Sequence, residues 1–344
     1  RRKRQMCIRD RNYKEGLSDE EVEKLVRDTK QLQQYQEEPS AAEDLEKIPV
    51  LRREDISREI APIYNEVLDF DSTPVVYHEI ETNGIGYVDL LFDLSGVSEE
   101  MLPYAGILQA VLGIIDTNNY EYGELFNEIN VHTGGIGTSL ELYPNVEKVK
   151  EKEFKATFEI KTKALYGKLP VAFCMMQEIL TESQLTDEKR LKEILSMAKS
   201  RLQMRFQSSG HTTAALRAMS YASPLSKLKD LTSGIGYYEI VKQIEEHFEE
   251  EKDVLIKNLQ TLTKLLFRPE NMMVSYTAAR EGMEDLEKLV SELKAKLFTE
   301  PVQGQPCVIH CEKKNEGFKT SSKVQYVAPV SYTHLRAHET RSNL

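Results

Sequence analysis

Polar and apolar positions follow two different periods along this chain, and the change between them divides it. Val22, Leu25, Val26, Leu32 and Tyr35 fall at helical spacing. Ser18-Asp-Glu-Glu21 precedes them as a capping box, in which the Ser oxygen and the Glu carboxylate satisfy main-chain N–H groups at a helix start. Pro39 predicts the end of this helix. Ser40-Ala-Ala-Glu43 repeats the signal for a short helix ending near Ile48-Pro49, and Glu54 to Leu68 is expected to be a third. The apolar surface of this stretch is too small for a domain of its own. A helical linker or hairpin is therefore expected over residues 12–70.

Beyond it the period falls to two. Pro74 to Thr82 reads as a strand, and Asn83-Gly84 predicts a tight hairpin, because a primed turn needs positive φ at both central positions. Val88, Leu90, Phe92 and Leu94 then alternate on the returning strand. A helix is expected from Ser98, with Leu102, Ile107, Leu108, Val111 and Leu112 on its apolar side, and another over Tyr122 to Ile129. Gly134-Gly135-Ile136-Gly137 breaks the chain before a strand from Thr138 to Tyr143. Phe154, Ala156, Phe158 and Ile160 alternate with Lys155, Thr157, Glu159 and Lys161, the pattern of a half-buried strand. Several helices should fill Leu169 to Leu266, followed by a strand over Asn271 to Ala278 and a helix over Met283 to Leu297. Further strands are expected within Phe318 to Val327. Strands, then helices, then strands indicate a layered α+β fold, an antiparallel-rich sheet with a helical layer. Residues 71–281 would form this unit, and 282–329 would open a second, truncated one.

The two ends read differently. Gln5 to Arg11 is Q-M-C-I-R-D-R, and Val330 to Thr340 is V-S-Y-T-H-L-R-A-H-E-T. The DNA element CAG-ATG-TGT-ATA-AGA-GAC-AG encodes Q-M-C-I-R-D, and one frame of its complement encodes V-S-Y-T-H-L. It resembles a transposon end used in sequencing libraries. Residues 1–11 and 330–344 are thus expected to be foreign and are set aside from fold reasoning. A basic targeting arm and a polar tail would leave the reverse complementarity without a cause.

Removing those ends changes the charge. The whole chain carries -11, and the remaining segment is near -17 because the ends are basic. That argues against nucleic acid or an anionic membrane as the main partner, and is compatible with peptides bearing basic residues. Apart from Cys7, the cysteines are Cys174, Cys307 and Cys311. An odd count without framework spacing fits a reducing compartment, and a cytoplasmic location is expected. The longest apolar run, Ala105 to Ile115, is interrupted by Gln109 and too short for a membrane span.

Candidate chemistry is sparse. His78, His132, His211, His247 and His310 have no histidine four residues on. His334 and His338 do, with Glu339 adjacent, but they lie in the end taken as foreign. Cys307-x-x-His310-Cys311 offers three zinc-compatible ligands. The same stretch also reads as a strand with Cys307 and Cys311 on a buried face, the reading preferred here. Gly134 to Gly137 and Ser233-Gly-Ile-Gly236 lack the Lys-Ser/Thr of a phosphate loop and read as turns. The strand after Gly137 could offer an edge on which a peptide adds as an extra strand. Gly134, Gly135, Ile136 and Gly137 are accordingly the candidate substrate-binding residues. The acidic run Glu245 to Asp253 reads as a solvated helix face, and Arg201, Arg205 and Arg217 as structural ion-pair formers.

Several passages resemble the presequence-protease branch of the pitrilysin/insulinase metallopeptidase family. L-S-D-E-E-V-E-K-L (Leu17 to Leu25) and Q-E-E-P-S-A-A-E-D-L-E-K-I-P (Gln36 to Pro49) are similar to the helical segment joining that family's two halves. E-T-N-G-I-G-Y-V-D-L-L-F-D (Glu81 to Asp93) resembles the opening hairpin of the third of its four α/β units. H-T-G-G-I-G-T-S-L-E-L-Y (His132 to Tyr143) resembles a later strand of that unit, and N-E-G-F-K-T-S-S-K-V-Q-Y-V-A (Asn315 to Ala328) the early strands of the fourth.

The resemblance implies two bowl-shaped halves around a closed chamber, and zinc-dependent cleavage of unfolded peptides. It implies an H-x-x-E-H motif in the first unit, whose two His and a distal Glu bind zinc while the intervening Glu acts as general base. That motif is absent here, and the helix from Ser98, which the resemblance aligns with the zinc helix, contains no His. The expectation is a non-catalytic, chamber-forming half of a zinc metalloendopeptidase. It would be inactive and zinc-free alone, with unfolded peptides and an N-terminal catalytic half as partners. Family Arg and Tyr contributors would lie beyond Ala328. The alternatives are an inactive peptide-binding or assembly subunit of the same fold, and an unrelated helical scaffold that would lack the sheet.

Overall fold

The computed structural model describes residues 13–14, 16–59, 64–148, 153–320 and 324–328. Cys7, His334, His338 and the two ends expected to be foreign lie outside the described residues. The chain divides into two compact units, Arg1–Pro62 and Ile63–Leu344.

In the first unit, helix α1 (Asp19–Glu37) begins at the expected capping box. Ser18 N donates to Glu21 Oε2 at 2.8 Å, and Glu21 N donates to Ser18 Oγ at 3.4 Å. These bonds lower the Glu21 pKa. Helix α2 (Ala42–Leu45) and a 3₁₀ turn (Arg53–Asp55) follow. The third helix expected over Glu54 to Leu68 is not seen among the described residues of that stretch, which begin in the 3₁₀ turn and end in a strand of the second unit.

That strand, β1 (Glu66–Phe70), pairs antiparallel with β2 (Thr73–Glu79), Phe70 facing Thr73. The two residues between them, Asp71 (φ 52°) and Ser72 (φ 67°), both have positive φ. Asp69 Oδ1 holds the turn by accepting from Ser72 N at 2.8 Å. The tight hairpin of this region is therefore Asp71-Ser72, a pair without glycine.

Asn83-Gly84 has the turn geometry expected of it, φ 52° and 80°, with Ile85 N donating to Thr82 O at 3.2 Å. It does not join paired strands. After it, β3 (Ile85–Asp93) separates from β2, and β6 (Met272–Ala278) lies between the two, parallel to β2 and antiparallel to β3. The full order is β1-β2-β6-β3-β5-β4, with β4 (Ile136–Pro144) and β5 (Phe154–Leu165) antiparallel. Met272, Val274, Tyr276 and Ala278 alternate as fully or nearly buried residues, whereas β2 buries only Val75 and Tyr77 among its apolar side chains. Both strands are paired on both edges, and the more apolar one takes the position nearer the centre of the sheet.

Helix α3 (Leu102–Val111) and α4 (Tyr122–His132) precede β4. Between β5 and β6 come α5 (Leu169–Thr181), α6 (Glu188–Ser208), α7 (Gly210–Ser220), α8 (Pro224–Ser233), α9 (Ile235–Glu246) and α10 (Phe248–Leu266). Their apolar sides and one face of the sheet form a single core. Phe267 stands edge-on to both Phe92 and Phe158, with ring centroids 5.1 and 5.3 Å apart. Helix α11 (Leu286–Lys294) places Leu286, Leu289, Val290 and Leu293 in that same core. The described residues between 299 and 328 carry no helix or strand, so the strands expected within Phe318 to Val327 are not seen among them. The fold is mixed α/β, with a helical layer on the sheet, as the strand–helix order indicates. The unrelated helical scaffold is excluded.

Candidate functional site

Alternation along each strand divides the sheet into two faces. Val75, Val274, Leu90 and Ile160 lie in one cross-strand row and face the core. One residue further along, Val76, Ser275, Asp89, Lys161 and Gly137 form a row on the opposite face. The next rows on that face include Met273, Leu91, Glu159 and Ser139, then Asp93, Thr157 and Glu141.

Glu159 is the hub of this second face. It is 0% exposed, although its place in the alternation is among Lys155, Thr157 and Lys161, the polar side of the strand. Its Oε1 accepts from the Tyr143 hydroxyl and from Thr157 Oγ1, each at 2.6 Å. Its Oε2 lies 2.8 Å from Lys161 Nζ, an ion pair without well-aimed hydrogen-bond geometry. Burial and the hydrogen bond to Glu159 raise the Tyr143 pKa. Burial also raises the Asp89 pKa, with Lys161 opposing and Glu159 and Glu141 adding to it. For Lys161 burial acts against the charge, but Glu159, Asp89 and Glu141 together outweigh it and raise the pKa. Three carboxylates thus share one ammonium on a half-buried surface.

The glycine-containing turn leads into the edge of this face. Gly135 has φ 101°, where a side chain would be strained. Gly134 N donates to Lys163 O at 2.7 Å, and Thr162 Oγ1 donates to Gly135 O at 3.0 Å. Ile136 packs against the core and opens β4, and Gly137 faces open space. The structure therefore brings Gly134, Gly135, Ile136 and Gly137 together as the entry to an edge strand.

β4 is terminal in the sheet, paired on one side only. The Thr138 carbonyl accepts from Gln109 Nε2 of α3 at 3.2 Å, so its main chain points to the outer side. Leu140 and Leu142 share that orientation by the two-residue period. Gln109 thus covers the edge at its start, and the stretch beyond Thr138 offers main-chain groups for pairing.

The residues described do not fit a zinc site. No three His, Cys, Asp or Glu converge on a metal position among the described residues. His78 Nδ1 is 2.7 Å from Asn65 Oδ1, and His310 Nδ1 is 3.0 Å from Glu99 Oε2. Cys307 is partly buried while Cys311 is exposed, so they do not share the buried strand face expected of them. Burial, followed by Glu99 and Asp93, raises the Cys307 thiol pKa. No described helix is long and apolar enough to cross a membrane.

The remaining candidates have structural roles. The acidic run from Glu245 carries lysine partners, Lys199 at 2.7 Å from Glu245 and Lys252 at 3.4 Å from Glu249. Arg205 donates to the Ser233 carbonyl instead of a carboxylate, and burial lowers its pKa. Ser233 ends α8 and Gly234 to Gly236 start α9, where Asp230 accepts from Ile235 N and Gly236 N at 3.0 and 3.2 Å. Glu159 and Asp89 were missed in the sequence, since only the register shows that polar positions of three strands meet.

The profile of a family described as associated with M16 peptidases of subgroup C matches residues 3–244. Protein HypA of Clostridium perfringens is 32% identical over 315 residues, covering 92% of this chain and 32% of the relative. Presequence protease 1, chloroplastic/mitochondrial, of Arabidopsis thaliana is 26% identical over 328 residues, covering 95% of this chain and 30% of the relative. The chain therefore spans about a third of the length of these curated relatives. The crystal structure of a protease from Helicobacter pylori has the same fold at a TM-score of 0.50 and 16% identity, covering 71% of this chain and 54% of that one.

Proposed function

The chain belongs to the family associated with subgroup C of the M16 peptidases, and from that premise we propose that it is a non-catalytic, chamber-lining part of a larger zinc metalloendopeptidase that degrades short unfolded peptides. The observation that carries this reading is the combination of a half-buried polar sheet face with a sheet-terminal strand, β4, that is paired with one strand only. An extended peptide added along β4 beyond Thr138 would gain main-chain hydrogen bonds from Leu140 and Leu142. Gly134 to Gly137 would set the entry to that edge without side chains at three of four positions. The face carries Asp89, Asp93, Glu141 and Glu159 against Lys155, Lys161 and Lys163, a slight acidic excess that favours peptides carrying basic residues.

Zinc and the general base belong to the catalytic half, which is the main partner in this reading. The length of the relatives supports such a half. Cys174 and Cys307 are free thiols, which supports a reducing compartment, and we place the protein in the cytoplasm.

The test uses the chain alone with an unstructured basic peptide. The expected result is no cleavage, no stoichiometric zinc, and slowed amide exchange at Leu140 and Leu142 when peptide is present. Chelator-sensitive cleavage, after contaminating proteases are excluded, would sink the reading. Unchanged exchange along β4 would remove its binding role.

A further inference from the structure

A second site lies on the helical side of the molecule. Arg217 of α7 is only 8% exposed. Its Nη1 donates to Asp230 Oδ2 at 2.6 Å, and Asp230 also caps the start of α9. That pair accounts for one side of the guanidinium. The other side, Nε and Nη2, grips Glu316 in a two-point contact of 2.8 and 3.0 Å. The Tyr221 hydroxyl donates to the same carboxylate at 2.5 Å. Phe318 sits over the guanidinium, 5.7 Å from its carbon to the ring centroid. Glu316 comes from a segment that has neither helix nor strand.

The earlier part of that segment is anchored differently. Gln305 N donates to Gly96 O and Cys307 N to Ser95 O, and Cys307 and Ile309 pack against the core. Around Glu316 the contact is polar instead. A cavity of about 260 Å³ adjoins it, lined by Arg217, Tyr221, Lys227, His310 and Lys314 among others. A close-packed strap would leave no such space. Arg217 lies on α7, Tyr221 directly after its last residue and Asp230 on α8, so the donors stay in place when Glu316 leaves. Two aligned N–H groups, a hydroxyl and a cation for an aromatic ring suit a carboxylate followed by an aromatic residue.

We propose that the Arg217–Tyr221 nook is a binding site for a Glu-x-aromatic segment, occupied here by the chain's own Glu316-Gly317-Phe318 as a releasable latch. Release would free residues 312–318 while leaving the anchors at Cys307 and Ile309 closed. A segment of the same chemistry supplied in trans would compete for the nook.

The experiment compares the whole chain with its Glu316→Gln and Phe318→Ala variants. Limited trypsin digestion reads cleavage after Lys313, Lys314 and Lys319, and hydrogen exchange reads β3 and β5. Glu316→Gln should speed cleavage about tenfold, from loss of a charge-assisted two-point contact. Phe318→Ala should speed it about two- to threefold. Exchange in β3 and β5 should not change. The capped peptide Asn-Glu-Gly-Phe-Lys should then bind Glu316→Gln protein, and the Asn-Gln-Gly-Phe-Lys peptide should not. Equal cleavage in all three proteins would overturn the latch, as would faster exchange in β3 and β5, which would make Glu316 part of the core. Equal binding of the two peptides would overturn the carboxylate site.

Discussion

The two faces of the sheet are made by the same strands and obey opposite rules. On the helical side Leu90, Phe92, Phe158, Ile160 and Val274 are wholly buried among apolar neighbours. On the other side Glu159 is equally buried, yet it is surrounded by Tyr143, Thr157 and Lys161. Burial alone therefore does not identify the core. The apolar face gains from every buried carbon. The polar face spends part of that gain on desolvating charge, and it holds only because donors converge on Glu159. Such a surface is better suited to recognition than to stability.

The largest expected break is on the apolar side. Phe92→Ala removes a ring in edge contact with Phe267 and should cost about 3–5 kcal/mol, measured by denaturant unfolding. Glu159→Ala leaves the Tyr143 and Thr157 hydroxyls and the Lys161 ammonium without their shared acceptor, and should cost about 2–3 kcal/mol. A cost as large as that of Phe92→Ala would mean that the polar face is the real keystone. A cost near zero would mean that Lys161 and Tyr143 simply turn to solvent.

The smallest effect is a pH dependence, and it sharpens the contrast in sign. The Asp89 pKa is raised in the folded state. Its contribution to stability is complete below the unfolded value, about 3.9, and is lost as pH rises through the folded value. Relative to Asp89→Asn, the native protein should thus lose ground in melting temperature between pH 4 and 7. Glu316 is held down to about 2 by Arg217. Its contribution is present above the unfolded value, about 4.3, and disappears as pH falls toward 2. A Glu316→Gln protein should therefore converge with the native one in acid.

The sequence revealed the parts of the fold that local patterns control. The capping box at Ser18, the alternation of β3 and β5 and the helices around Leu102 and Leu286 all follow from neighbours within a few residues. The arrangement of strands does not. Asn83-Gly84 has the geometry of a primed turn, but β3 pairs with β5 and with the far more distant β6, and no local signal points to β6. β1 was hidden because its turn uses Asp71-Ser72, where an Asp69 side chain supports positive φ in place of glycine. The glycine entry to β4 was legible as a break before a strand. The Glu159 cluster was not, because the alternation of β5 assigns that position to solvent. Reading Asp89, Glu141 and Glu159 as neighbours requires the register of three strands.

The central place of β6 also bears on how the chain matures. Strands β1 and β2 can pair as soon as they are made, and so can β3, β5 and β4. The two pieces cannot join until residues 272–278 arrive to pair with both. During synthesis β2 and β3 therefore wait with bare edges, and closure depends on contacts very distant in sequence. A ribosome pausing before residue 272 would hold out two sticky half-sheets, a natural site for a chaperone to engage.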